Sequence, residues 1–179
     1  PSRSSSGPSA KAARPPNILI IWGDDVGEFN ISAYNMGRMG YKTPNIDALA
    51  RSGTIYRHAY AVPLCGPSRA TILTGRYGFR TGATNQDATG RFTPKAETMM
   101  PAVLKQAGYV SSSIGKWGQL PLGPADFGFD DYFRFSGSGA YWKSQGKKGE
   151  NVEINGKKVP VGEKDYIPEL MHTHLVDFM

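Results

Sequence analysis

The stretch Leu64–Arg76 constrains the fold of this chain more than any other, because it joins a single cysteine to the pattern of a helix start. Pro67 suits the first turn of a helix, where a missing backbone N–H costs no hydrogen bond. The apolar residues up to Leu73 can continue that helix. Cys65 is therefore predicted to lie at a helix N-terminus, where backbone N–H groups and the helix dipole favour negative charge.

Arg69 follows Cys65 by four residues, so it lies about one helical turn further along the same face. Its guanidinium can reach an anion that is bound beside the cysteine. The two residues are therefore predicted to form one site, which either holds an oxyanion or carries an anionic nucleophile.

Seven positions over twelve residues of this stretch match a known signature. The matching residues are Cys65, Pro67, Arg69, Leu73, Thr74, Gly75 and Arg76. They resemble the signature of the type I sulfatases, in the alkaline-phosphatase-like superfamily, whose cysteine is oxidised to formylglycine and acts as a hydrated aldehyde. The resemblance implies that Cys65 is the catalytic nucleophile and that Arg69 holds its hydroxyl pair. The alternative is that Cys65 is an ordinary small buried residue that caps a helix.

A short apolar run, Asn17–Gly23, predicts a strand that is buried on both faces of a largely parallel sheet. Asp24 and Asp25 follow it, and ligands bind at the carboxyl ends of strands in open α/β sheets. Two carboxylates there indicate a hard-cation site, although loops also use aspartate in turns. The run resembles the opening strand of sulfatases, which implies that Asp24 and Asp25 bind Ca²⁺ or Mg²⁺ and that oxidised Cys65 also reaches the ion.

A second predicted strand, Tyr109–Ile114, brings Lys116 to its end, where a lysine can hold an oxyanion as a point charge. The segment 115–117 resembles the sulfatase segment whose lysine contacts the sulfate group, which implies that Lys116 binds substrate. The commonest family pattern continues with a histidine, whereas this chain has Gly118 and Gln119. Gln119 forms hydrogen bonds but cannot shuttle protons near neutral pH, so this departure weakens the case for an ordinary acid–base arrangement.

Periodicity and end signals predict the remaining elements. Helices are predicted over Thr43–Gly53, Thr98–Gly108 and Asp165–Met179, and a further strand over Thr54–Tyr60. The segment Asn151–Val161 alternates around an Asn-Gly pair and predicts a hairpin, which we interpret as a surface excursion near the substrate entrance. The segment 126–133 resembles a Gly-Phe-Asp-x-Phe element of the family and is interpreted as structural.

Composition and charge limit the kinds of partner and the locations that we expect for this chain. Its 39% apolar content fits a soluble globular domain, and no apolar run approaches the length of a membrane span. The net charge of +6 comes from residues 1–16 and 143–158, so the rest of the chain is neutral. No nucleic-acid partner is expected, because basic residues are not spread over a folded face. The single cysteine leaves the compartment open, and no signal-peptide core is visible; we expect a periplasmic or secreted protein.

These patterns predict an α/β fold, an alkaline-phosphatase-like sandwich with a mixed, mainly parallel central sheet. Residues 1–16 are predicted to form a disordered leader or linker, and residues 17–179 the N-terminal part of a catalytic domain. Family members usually run to several hundred residues and carry further metal ligands, a lysine and a histidine in their later part. The chain is therefore interpreted as the N-terminal portion of an incomplete sulfatase.

The resemblance implies a sulfuric ester hydrolase that uses formylglycine and Ca²⁺, with Mg²⁺ as an alternative ion. Its substrate would be a sulfated small molecule or a sulfated carbohydrate, and its maturation would need a formylglycine-generating enzyme. Two alternatives stay open. One is a phosphodiester or phosphonate monoester hydrolase of the same superfamily, and the other is a noncatalytic carbohydrate-binding relic.

Overall fold

The computed structural model describes residues 14–86, 92–117, 120–135, 139–146 and 152–179. The chain divides into two compact units, residues 1–57 and 58–179. The predicted leader falls mostly outside the described residues, and Gly118 and Gln119 also lie outside them. The leader and the single domain over residues 17–179 stay predictions.

From residue 14 onward, the first unit contains a 3₁₀ turn and two α-helices. Their bounds are Glu28–Asn30, Ser32–Asn35 and Pro44–Ser52. The last of these confirms the helix predicted to begin after Thr43. The Asp47 carboxylate joins the two helices, because it accepts hydrogen bonds from Ser32 Oγ at 2.6 Å and Thr43 Oγ1 at 3.0 Å. The Ser32 hydroxyl is the main reason why the pKa of Asp47 lies below its usual value.

The prediction of a buried strand over Asn17–Gly23 is wrong for this structure. No strand forms in that segment, and its large apolar side chains are exposed, from 40% for Trp22 to 78% for Ile21. An apolar run becomes a buried strand only where neighbouring strands pair with it and both faces are covered. Among the described residues this segment has no strand partner. The strand predicted over Thr54–Tyr60 is absent as well.

In the described part of the second unit, the strands form one four-stranded sheet. The strands, in their order across the sheet, are β1 (Ser112–Lys116), β2 (Asp131–Phe135), β3 (Val152–Ile154) and β4 (Lys157–Val159). β1 and β2 are parallel, whereas β3 pairs antiparallel with both β2 and β4. The α/β class and the mixed sheet are therefore confirmed, but the described sheet is not mainly parallel, because the hairpin contributes two antiparallel pairings beside the one parallel pairing. The strand predicted over Tyr109–Ile114 forms slightly later and ends at Lys116 itself.

The second unit confirms the predicted helices, and it also contains a short helix, Gly78–Thr81, that was not predicted. Among the described residues, the α-helices are Cys65–Thr74, Gly78–Thr81, Met100–Gln106 and Ile167–Phe178, and 3₁₀ turns occur at Pro94–Ala96, Pro124–Phe127 and Lys143–Gln145. We call the helix Cys65–Thr74 the cysteine helix. It is capped by Gly75, whose φ of 65° is a left-handed conformation that glycine adopts readily. Among the described residues, no helix is both long and apolar enough to cross a membrane.

The predicted hairpin is confirmed, but the interpretation of it as a surface excursion is wrong. Asn155 and Gly156 have φ values of 48° and 83°, as a two-residue type I′ turn requires. The hairpin belongs to the sheet, because β3 pairs with β2 and Val152 is only 1% exposed. Val152 of β3 therefore lies in the core, whereas Lys157 and Lys158 of β4 are exposed at the edge of the sheet.

Two apolar clusters stabilise the second unit. The first contains Ala70, Leu73, Ala83, Phe92, Met99, Trp117, Leu120 and Phe127, and the second contains Phe133, Phe135, Val152, Val161 and Ile167. The first cluster joins the buried face of the cysteine helix to Trp117, which follows the last residue of β1. Packing therefore holds the start of this helix near the end of β1. The burial of Phe127 and Phe133 supports a structural role for the segment 126–133.

Candidate active site

The first turn of the cysteine helix places Cys65 where the sequence predicts it. Leu64 is the extended residue before the helix, and Cys65 is the first helical residue, with a half-buried side chain. Ser68 N donates to Leu64 O at 2.9 Å, which closes the first turn, and Pro67 has no N–H to satisfy. Cys65 is thus held at the positive end of a ten-residue helix.

Lys116 lies beside the cysteine. Its Nζ is 3.5 Å from Cys65 Sγ, although the two residues are 51 positions apart in the sequence. The lysine is the last residue of β1 and is half-buried. An ammonium group therefore faces the atom that the sequence predicts to carry the nucleophile.

Arg69 links the cysteine helix to the strand. Its Nη1 donates to Cys65 O at 3.0 Å, and its Nε donates to Lys116 O at 3.3 Å. The guanidinium is half-buried and adds a second positive charge close to the cysteine. The structure therefore brings Cys65, Arg69 and Lys116 together, as the sequence predicts, while their chemical roles stay predictions.

A fourth residue, Gln86, belongs to the same site and was not predicted. Its Oε1 accepts a hydrogen bond from Gly66 N at 3.2 Å, so its side chain contacts the backbone immediately after Cys65. Gln86 follows Gly66 by twenty residues and belongs to no periodic pattern, so only the tertiary structure reveals the contact.

The predicted metal ligands Asp24 and Asp25 lie in the first unit, in a bend where both residues are exposed. Asp25 has a φ of 60°, a left-handed conformation that aspartate tolerates better than most residues. Within the described ranges, no group of three or more His, Cys, Asp or Glu residues is arranged to hold a metal ion. The assignment of Asp24 and Asp25 to a metal stays a prediction, and so does the part of Cys65 in it.

The arrangement suits the chemistry of a small oxyanion. Lys116 and Arg69 supply positive charge, and the N-terminus of the cysteine helix adds the positive end of its dipole. The site is thus that of an α/β protein in which a cysteine at a helix N-terminus lies beside two cationic side chains.

The family model described as Sulfatase matches residues 16–178. The chain therefore belongs to the sulfatase family, and the resemblance noted from its sequence is confirmed. N-acetylgalactosamine-6-sulfatase of Homo sapiens is 40% identical over 136 residues, which cover 68% of this chain and 26% of that protein. Steryl-sulfatase of Mus musculus is 40% identical over 131 residues, covering 67% of this chain and 21% of that protein. The chain thus spans about a quarter of the length of the curated relatives it matches.

Solved structures agree with this assignment. The crystal structure of Ps i-CgsB is 30% identical with a TM-score of 0.66, and the match covers 87% of this chain and 39% of that one. The crystal structure of PsFucS1 sulfatase from Pseudoalteromonas sp. has a TM-score of 0.73 at 23% identity, covering 92% and 40% of the two chains, and it shows the fold alone. The predicted alkaline-phosphatase-like fold is thereby confirmed.

Proposed function

We propose that the protein is a sulfuric ester hydrolase and that Cys65, Arg69 and Lys116 belong to its catalytic site. The observation that carries this proposal is the 3.5 Å approach of Lys116 Nζ to Cys65 Sγ at the start of the cysteine helix. In a chain of the sulfatase family, this contact joins a nucleophile position to a cation that can hold the sulfate group.

Cys65 is proposed to be converted to formylglycine by a generating enzyme, because Pro67 and Arg69 complete the recognition pattern around it. Its position fits this modification, since the side chain is half-buried and lies at the start of a helix. As formylglycine, residue 65 would supply a hydrated aldehyde as the nucleophile toward sulfur.

The two cationic residues would have different roles. Lys116 would offset negative charge on the substrate, and Arg69 would hold the backbone of the site in place. The ammonium of Lys116 would offset negative charge on the sulfate oxygens. The attraction between them would be stronger than in bulk water, because the site is partly shielded from water. Arg69 would hold the backbone of residue 65 and of Lys116 in register through the two carbonyl contacts. A sulfate monoester carries one negative charge and a phosphate monoester nearly two, so a site with few cations favours sulfate.

The metal proposal rests on the donor chemistry of two residues. Asp24 and Asp25 are adjacent exposed carboxylates, and hard oxygen donors of this kind fit Ca²⁺ or, as an alternative, Mg²⁺. They would supply part of the six to eight oxygens that Ca²⁺ takes. When bound, the ion would act as a Lewis acid toward the sulfate oxygens.

The proposed substrate is a sulfated carbohydrate, with a smaller sulfated alcohol as the alternative. The choice is supported by the name N-acetylgalactosamine-6-sulfatase among the relatives and by a structure of Ps i-CgsB in complex with k-i-k-neocarrahexaose. We also propose a periplasmic, secreted or lumenal location, which fractionation of the producing cells would test.

The test is to assay the matured protein on matched aryl esters of sulfate, phosphate, a phosphodiester and a phosphonate. We expect sulfate to give the highest kcat/KM, and we expect a chelator to abolish the activity and added Ca²⁺ to restore it. A preference for the phosphodiester or the phosphonate would favour that alternative hydrolase. Binding of sulfated carbohydrate without any hydrolysis would favour the noncatalytic relic.

A further inference from the structure

We propose that Gln86 is a positioning residue for the nucleophile at position 65, an inference that rests on the proposed sulfatase function. The observation is the hydrogen bond from Gly66 N to Gln86 Oε1 at 3.2 Å. Gly66 is buried and Gln86 is half-buried, so water does not readily replace this contact.

The peptide unit between Cys65 and Gly66 is held from both sides. Its carbonyl oxygen accepts a hydrogen bond from Arg69 Nη1 at 3.0 Å, and its N–H donates to Gln86. The plane of this peptide fixes the backbone of Cys65 and, through it, the direction of the bond from Cα to Cβ. Gln86 and Arg69 together therefore hold the backbone from which the side chain of residue 65 projects.

A glycine at position 66 makes such a clamp useful. Gly66 is the second residue of the cysteine helix, so its N–H has no acceptor within the helix, and glycine also has more backbone freedom than other residues. The next two residues cannot make this contact in place of Gly66, because Pro67 has no N–H and Ser68 N already donates to Leu64 O. In this structure, Gln86 Oε1 is the acceptor for the N–H of Gly66.

The neutral amide of Gln86 also matters for an anionic substrate. A carboxylate at this position would accept the same hydrogen bond, but it would add negative charge near Lys116 and Arg69. That charge would oppose the binding of a sulfate ester at the same helix end. Glutamine meets both requirements, because it accepts from Gly66 and carries no charge.

The experiment compares Gln86→Met, Gln86→Glu and a matched control, Gln145→Met. The control also removes a glutamine acceptor from backbone donors, since Gln145 Oε1 accepts from Tyr141 N at 2.6 Å and Trp142 N at 2.9 Å. For each protein we would measure hydrogen exchange of the Gly66 amide, the Tm, and kcat and KM on an aryl sulfate.

For Gln86→Met we expect faster exchange at Gly66 and a kcat about tenfold to a hundredfold lower, with KM changed little, because misplacement of the nucleophile affects the transition state. For Gln86→Glu we expect retained Gly66 protection, a kcat near that of the wild type and a KM roughly tenfold higher. Gln145→Met should lower the Tm and leave kcat and KM unchanged.

Two results would overturn the inference. One is an unchanged hydrogen-exchange rate of the Gly66 amide in Gln86→Met, which would show that Gln86 does not protect this amide. The other is a loss of Tm in Gln86→Met with an unaltered kcat, which would make the contact merely structural. A wild-type protein that is inactive on every sulfate ester would instead overturn the proposed function, and the exchange measurement alone would then decide whether Gln86 holds the peptide.

Discussion

Lys116 is the residue on whose charge the proposed reaction depends most, because its ammonium lies against the nucleophile position. The contact comes from two separate elements, the end of β1 and the start of the cysteine helix. Small displacements of either element would therefore weaken it, and the packing of Trp117 beside the helix limits such displacements.

Replacing Lys116 with alanine should lower kcat/KM for an aryl sulfate by a factor that corresponds to roughly 2 to 4 kcal/mol of transition-state stabilisation. The loss arises because the variant lacks the ammonium that offsets the charge developing on the sulfate oxygens. The matched control is Lys157→Ala, which removes an equal charge from an exposed position on β4. Equal kcat/KM values for the two variants would remove Lys116 from the site.

At the residue scale, the sequence predicted what depends on local spacing. Cys65 and Arg69 are four residues apart on one helix, so helical geometry alone brings them together. Lys116 was predicted only through its resemblance to a family segment, and Gln86 was not predicted at all. Its contact with Gly66 depends on the path of the chain between them, which no spacing rule describes.

At the scale of elements, Asp131 fastens the C-terminal helix to the sheet. Ser112 Oγ donates to its Oδ2 at 2.6 Å, and Asn155 Nδ2 donates to its Oδ1 at 2.7 Å. His174 Nε2, on the helix Ile167–Phe178, lies 2.9 Å from the same Oδ2. One carboxylate thus connects β1, the start of β2, the hairpin turn and the helix.

The pKa of Asp131 lies below its usual value. Burial works in the opposite direction, but the hydrogen bonds from Ser112, Asn155 and His174 outweigh it. A lowered carboxyl pKa contributes stability at pH values above the unfolded pKa of about 3.9, and this contribution is lost as the pH falls through the folded pKa.

Asp131→Asn should therefore lower the free energy of unfolding by about 2 kcal/mol at pH 7, because charge-assisted hydrogen bonds are lost. The difference from the wild type should begin to shrink below about pH 3.9, where the unfolded carboxyl becomes protonated, and it should be lost as the pH falls through the lower folded pKa. Urea denaturation at several pH values measures both effects. Asp177→Asn, at an exposed position on the same helix, is the control, and equal stability of the two variants at pH 7 would contradict this account.

Helices were easier to predict than strands in this chain. Helix ends depend on local signals such as Pro44 and Gly75, and these signals were present. A strand needs partners that the sequence does not name, and so the apolar run at residues 17–23 was misread. The prediction of the hairpin turn is confirmed because an Asn-Gly pair favours one turn geometry by itself. The position of the hairpin in the sheet depends instead on the pairing of β3 with β2.

At the scale of the whole molecule, the second unit holds Cys65, Arg69, Gln86 and Lys116, while Asp24 and Asp25 lie in the first unit. The contacts of the cysteine site are therefore formed within one compact unit. The site geometry follows from packing that joins the cysteine helix to the end of β1, and family membership gives that geometry its proposed chemistry.

The central claim is that formylglycine at position 65 is the nucleophile of a sulfatase. The most direct test is to prepare the protein with graded amounts of a formylglycine-generating enzyme, and to compare the aldehyde fraction at residue 65, from peptide mass spectrometry, with aryl sulfatase kcat. We expect kcat to rise in proportion to the aldehyde fraction and to vanish in Cys65→Ala. Full activity in a preparation that contains only the unmodified thiol would contradict the claim.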